Sequence, residues 1–181
     1  MNHKHTYKPR DGSEYKFCRC GRRRKAVSVG KERKKLMRHA EDLWRAVAHK
    51  RDGEGCQIAK VFPELNLRHS NQIQVDHFFP RADKNLFFEP ANATVLCSVC
   101  NYLKSNGSPQ STIINMAVKE IVLRREGKDK FEEMYQINNS RQPNREFHKE
   151  YYLAEICRKL ALHLAILGSG DDEAAKEDDG K

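Results

Sequence analysis

The apolar residues of this chain keep a helical period on both sides of a stretch that does not, and that interruption constrains the fold more than any other feature. Leu36, Ala40, Leu43, Trp44, Val47 and Ala48 recur at three- and four-residue steps until "RDGEG" ends the run. This predicts a helix from Lys31 with one face in a core and its Arg and Lys residues turned outward. Between 57 and 96 the period is lost, and short apolar pieces alternate with turn formers; "IQVDHFF" and "ATVLC" read as strands. Helical spacing then resumes. A short helix is expected from about Ser98 to Asn106-Gly107, a second opened by Ser108-Pro109, and a small one around "DKFEEMYQI". A long helix follows "QPNREF" and runs to Gly168, with Phe147, Tyr151, Ile156, Leu160, Leu164 and Leu167 near one face. The expected class is α+β, mostly helical around a small hairpin, with no internal repeat.

At 181 residues the chain has room for one compact domain and a tail or two. No apolar run approaches the roughly 20 residues that cross a bilayer, and "MNHKHTYKPRDGSEYK" lacks the apolar segment of a secretory signal. A reducing cytoplasm is the expected location. Six cysteines, at 18, 20, 56, 97, 100 and 157, are too few and too unevenly spaced for a disulfide scaffold, so metal binding or plain burial is expected of them.

The net charge of +9 is unevenly spread. Residues 1 to 35 hold thirteen Lys or Arg against three acids, including Arg22, Arg23, Arg24 and Lys25, whereas "SGDDEAAKEDDGK" at 169 to 181 holds six acids against two lysines. Clustered cations gain free energy by releasing counterions from a phosphate backbone, so residues 1 to 30 read as a basic, irregular arm for a polyanion. The competing reading is solvated surface charge. The last segment has almost nothing apolar to bury and reads as a disordered acidic tail.

Chemistry concentrates in "QVDHFFPRADKN" and "VLCSVCNYLKSNG". Alternation along a strand sends Asp76 and His77 to opposite faces unless the strand ends or bends there, and Pro80 favours an early end. At such an end a carboxylate can bind a hard cation while the neighbouring imidazole addresses a water. On the following helix Asn101, Lys104 and Ser105 share a face. If the hairpin folds against that helix, the Asn101 amide oxygen can complete a Mg²⁺ site with Asp76, leaving several positions for water and a phosphate oxygen.

Three segments, "VDHFFPR", "EPANATVLC" with Asn92, and "CSVCNYLKS", resemble the HNH, or ββα-metal, endonucleases. Asn101 stands where the third family position is often histidine, which makes the site look like the Asp-His, Asn, Asn variety found in the HNH domain of RNA-guided CRISPR nucleases. "LWRAVAHKRDGEGCQ" is similar to the segment preceding the motif in phage HNH proteins of the NinG recombination type. The likeness spans roughly residues 40 to 107, and it makes 31 to 168 the nuclease domain. It implies a metal-dependent DNA endonuclease acting on duplex or branched DNA, with His77 as general base. Asp76 and Asn101 would hold one Mg²⁺ or Mn²⁺, and Asn92 would orient His77 through a backbone contact. Lys104 would steady a phosphate, against the plainer reading of an exposed helix lysine. The rival is a zinc-supported DNA-binding module with an inactive centre; an RNA-directed role is weaker.

Cysteine-bearing members of that family clamp a structural Zn²⁺ between two C-x2-C turns. Cys97 and Cys100 supply the second turn. The first supplies Cys56 but has Ala59 where its partner would stand, so a closed site needs a substitute; His69 is the first candidate and Cys18 or Cys20 the next. Cys157 is expected to be buried, Trp44 to anchor the core, and His39, His49, His148 and His163 to make ordinary helix contacts.

Overall fold

A computed structural model of the chain describes residues 8–9, 15–17, 23–25, 27–80, 84–140 and 144–174. Cys18, Cys20 and Arg22 lie outside the described residues, as do residues 175–181 of the acidic tail. The basic arm contains three short strands, β1 (Lys8–Pro9), β2 (Tyr15–Phe17) and β3 (Arg23–Lys25), paired antiparallel in that order. Arg23, Arg24 and Lys25 therefore lie on a strand.

The long helix α1 (Val27–Asp52) begins four residues before the sequence reading placed it. No proline opposes the extension, and the packed stripe downstream nucleates the turn. Its stop is where "RDGEG" predicted. Gly53 takes φ +69°, a conformation that favours glycine, and its amide closes on the His49 carbonyl at 2.8 Å.

Strand β4 (Ile73–His77) pairs antiparallel with β5 (Ala93–Cys97), and helix α3 (Ser98–Ser105) leaves β5 without a linker. The register opposes Asp76 to Thr94 and His77 to Ala93. Helices α4 (Pro109–Glu126), α5 (Lys128–Ser140) and α6 (Glu150–Ala174) complete the chain, α6 running through Gly168 into the acidic segment. Three short helical elements escaped the periodicity argument because none spans two turns: α2 (Gln57–Val61) and the 3-10 turns Pro63–Leu65 and Pro90–Asn92.

All five residues of β5 are buried, so both faces of the hairpin are covered. On one side α1 and α6 bring Trp44, Val47, Leu153 and Leu160 against Val75, Ala93 and Val95, joined by Phe147, which lies in the turn before α6 and not on the helix as expected. On the other, α2, α3 and α4 bring Ile58, Ile114, Val118 and Ile121 against Leu96 and the three cysteines. A third cluster, Phe79, Leu86, Val122, Phe131 and Met134, lies beneath the loop joining the two strands. The observed class is mostly helical with a small two-stranded antiparallel sheet, compatible with α+β. The hairpin is thus a buried platform between two helical layers.

Candidate metal centre and hairpin site

Cys56, His69, Cys97 and Cys100 form a group that could hold a metal ion, their ligand atoms all lying within 4.8 Å of one another. Four separate elements deliver them. Cys56 precedes the first residue of α2, Cys97 ends β5 and caps α3, Cys100 sits in the first turn of α3, and His69 lies in the segment leading to β4. The His69 Nδ1 atom is 3.4 Å from Cys100 Sγ and 3.6 Å from Cys97 Sγ. Tetrahedral zinc with bonds of about 2.0 to 2.3 Å separates nitrogen and sulfur ligands by about 3.6 Å, so the donor set and its spacing are compatible with structural Zn²⁺.

The thiols also have an electrostatic need. A hydrogen bond from Cys100 pulls Cys56 well below the ordinary thiol range, against the opposing effect of burial. The same bond, with burial, pushes Cys100 far upward. A divalent cation bound in this apolar surround would take both sulfurs as thiolates. His69 stands where the missing C-x2-C partner left a gap. Cys157 is buried elsewhere, in the α1/α6 core.

At the other end of the hairpin, β4 divides its side chains between two faces. Gln74 and Asp76 face α3, where they form two rungs: Asn101 Nδ2 donates to Gln74 Oε1 at 2.7 Å, and Lys104 Nζ donates to Asp76 Oδ2 at 2.5 Å. The amide oxygen of Asn101 is the atom left over from its rung. Lys104 also donates to the His77 carbonyl at 2.6 Å. Asp76 and Asn101 therefore lie along one seam, each with a different partner. Lys104 is not an exposed helix lysine, because only 13% of its side chain is accessible.

His77 faces the opposite layer. Its ring stacks on Trp44, centroids 4.2 Å apart and 18° from parallel, and only 5% of the residue is exposed. Nε2 lies 2.9 Å from the Phe87 carbonyl. A carbonyl only accepts, so Nε2 carries a proton and, in the neutral ring, Nδ1 is the basic nitrogen. Asp76 and His77 thus diverge: β4 stays regular through His77, so the early end suggested by Pro80 does not turn the two side chains to one side.

Asn92 is fully buried and works through the backbone. Its Oδ1 accepts from the Phe79 amide at 2.7 Å, and its Nδ2 donates to the Leu86 carbonyl at 3.0 Å. It therefore ties together the loop that presents Phe87 to His77.

An arginine clamp on this loop went unseen in the sequence. Arg51 donates to the Pro90 and Ala93 carbonyls at 2.7 and 2.9 Å, and Arg125 donates to those of Ala91 and Ala93, both at 2.9 Å. Asp52 and Glu126 balance the two cations. Burial, and next the Arg51 charge, lower the Arg125 guanidinium from its usual value, with Asp52 opposing. Arg51 and Arg125 end two different helices, and nothing in either local pattern announces that they meet.

Among the described residues no helix is long and apolar enough to cross a membrane. Compared with protein families, with curated proteins and with solved structures, the chain has no match.

Proposed function

We propose that the chain is a metal-dependent DNA endonuclease of the HNH type, hydrolysing phosphodiester bonds, with recombination or processing of phage DNA as its setting. The observation that carries this reading is the seam between β4 and α3, where Asp76 and Asn101 stand in adjacent rungs of one hairpin–helix unit. A carboxylate and an amide oxygen suit a hard divalent cation such as Mg²⁺ or Mn²⁺. Such a cation, when bound, neutralises charge on the scissile phosphate and the leaving oxygen.

The chain's own residues account for the other parts. His77, with Nε2 held by Phe87, would be the base that takes a proton from water. Asn92 fixes the loop that holds His77 in that orientation, making it a positioning residue. Cys56, His69, Cys97 and Cys100, with zinc bound, would hold the start of α3 and so the register of Asn101 against β4. Arg22, Arg23, Arg24 and Lys25 would grip the duplex through phosphates, which carry no sequence information.

A second reading, a zinc-supported DNA-binding module with an inactive centre, is favoured by the Lys104 contact on Asp76 and the burial of His77. Plasmid nicking in Mg²⁺ or Mn²⁺ separates the two. Wild type should nick, and His77→Ala and His77→Gln should lose cleavage by at least about 100-fold while keeping DNA affinity. Equal cleavage by wild type and both variants would refute the base assignment, and no cleavage by wild type would favour the binding module.

A further inference from the structure

We propose that Lys104 is a mobile counter-ion: it occupies the cation position at Asp76 in the DNA-free protein, and a DNA phosphate draws it off, so that nucleic acid opens the site to metal. The inference rests on the metal seam proposed above. Its geometry comes from Lys104 itself, whose ammonium lies 2.5 Å from a carboxylate oxygen of Asp76 and 2.6 Å from the main-chain oxygen of His77. Carboxylate and backbone carbonyl oxygens are the donors that hard divalent cations take. The ammonium therefore sits where such a cation would bind.

Only the side chain has to move. The Lys104 carbonyl is held by Ser111 Oγ at 2.8 Å and by Asn115 Nδ2 at 3.1 Å, both from α4, so its backbone is anchored while four methylenes carry the charge. The pair lies at the edge of the solvent, with 13% and 19% of the two side chains accessible, which gives a phosphate a line of approach. A further polar group attends the same place. Thr94, directly opposite Asp76 in the ladder and 1% exposed, has a hydroxyl oxygen with no hydrogen-bond partner among the described residues. Directly opposed cross-strand residues share a face, so this hydroxyl borders the Asp76 seam.

Charge decides the order of events. Asp76 and Lys104 together are neutral, and adding a divalent cation while Lys104 stays leaves two net positive charges in a partly buried site. Such an arrangement is disfavoured, so metal and lysine exclude each other while DNA is absent. A phosphodiester supplies the missing negative charge and a new partner for the ammonium. The coupling is reciprocal: whatever DNA adds to metal affinity, metal adds to DNA affinity.

The test measures Mn²⁺ binding to the full-length, zinc-loaded protein by calorimetry or electron paramagnetic resonance, with and without a phosphorothioate duplex that resists hydrolysis. Without DNA, Lys104→Gln should bind Mn²⁺ about tenfold more tightly than wild type, and Lys104→Arg, which keeps the ion pair, should stay near wild type. The duplex should raise Mn²⁺ affinity in wild type and do so much less in Lys104→Gln. Zinc content and thermal unfolding report that each variant is folded. Should Lys104→Gln match wild type while Asp76→Asn loses Mn²⁺, the counter-ion inference falls and the metal seam stands. Should Asp76→Asn bind Mn²⁺ as wild type does, the seam itself is refuted, and the nuclease reading with it.

Discussion

The two ends of one hairpin–helix unit hold two candidate metal sites, and they are built in opposite ways. At the cysteine end four donors from four elements converge within 4.8 Å, sulfur beside sulfur. At the Asp76 end the groups are held by protein partners: the carboxylate by Lys104, the Asn101 amide nitrogen by Gln74 with its oxygen left over, and His77 by Phe87 on the far face of the strand. A preformed, closed set of soft ligands suits a permanent structural ion, whereas hard ligands held by exchangeable partners suit an ion that arrives with a substrate. The difference is one of role: the first site fixes where α3 begins, and the second lies along the seam that α3 then makes with β4.

Breaking the cysteine end should have the largest effect. Cys97 is fully buried, ends β5, caps α3 and offers a ligand, so Cys97→Ser should abolish zinc in elemental analysis and cost on the order of 4 kcal/mol in denaturant unfolding. Retained zinc with unchanged unfolding would remove the structural role.

Next comes the loop between the strands. Asn92→Ala leaves the Phe79 amide without its partner and the Leu86 carbonyl with the Glu89 amide alone, at a cost of about 3 kcal/mol by the same measurement. Arg125→Gln should cost less, roughly 2 kcal/mol, because Arg51 still holds the Ala93 carbonyl. If either variant also slows cleavage, the loss should appear in kcat more than in KM, since the loop positions His77 without touching DNA.

The smallest stability effect should come from Asp76→Asn. Its amide oxygen still accepts from Lys104, and Lys104 keeps the His77 carbonyl, so unfolding should shift by under about 1 kcal/mol. That contrast sharpens the comparison: the cysteine end should govern stability and the aspartate end reactivity. A stability loss at Asp76→Asn as large as that at Cys97→Ser would erase it.

Much of this arrangement was legible in the residues because it is local. "ATVLC" became β5 at its expected bounds and Ser108-Pro109 opened α4 as cap and first residue, whereas the strand end expected to bring Asp76 and His77 together leaves them on opposite faces. His69 was the first candidate for the ligand that the likeness to cysteine-bearing HNH domains left missing at Ala59, with Cys18 or Cys20 the next. What stayed hidden depends on distant parts of the chain. Arg125 meets Asp52 across 73 positions, and Lys104 reaches Asp76 across 28, so neither pair has a periodic signature. A helix lysine reads as solvent-facing until the strand it leans on is placed. The segments α2 and Pro90–Asn92 were too short for any period to register.

The most direct test of the central claim is conversion of supercoiled plasmid in Mg²⁺ by wild type and Asp76→Asn, both checked for zinc content and cooperative unfolding. The account predicts that wild type nicks the plasmid, that chelation of Mg²⁺ stops it, and that the folded variant is at least about 100-fold slower. Cleavage by Asp76→Asn at the wild-type rate would contradict it.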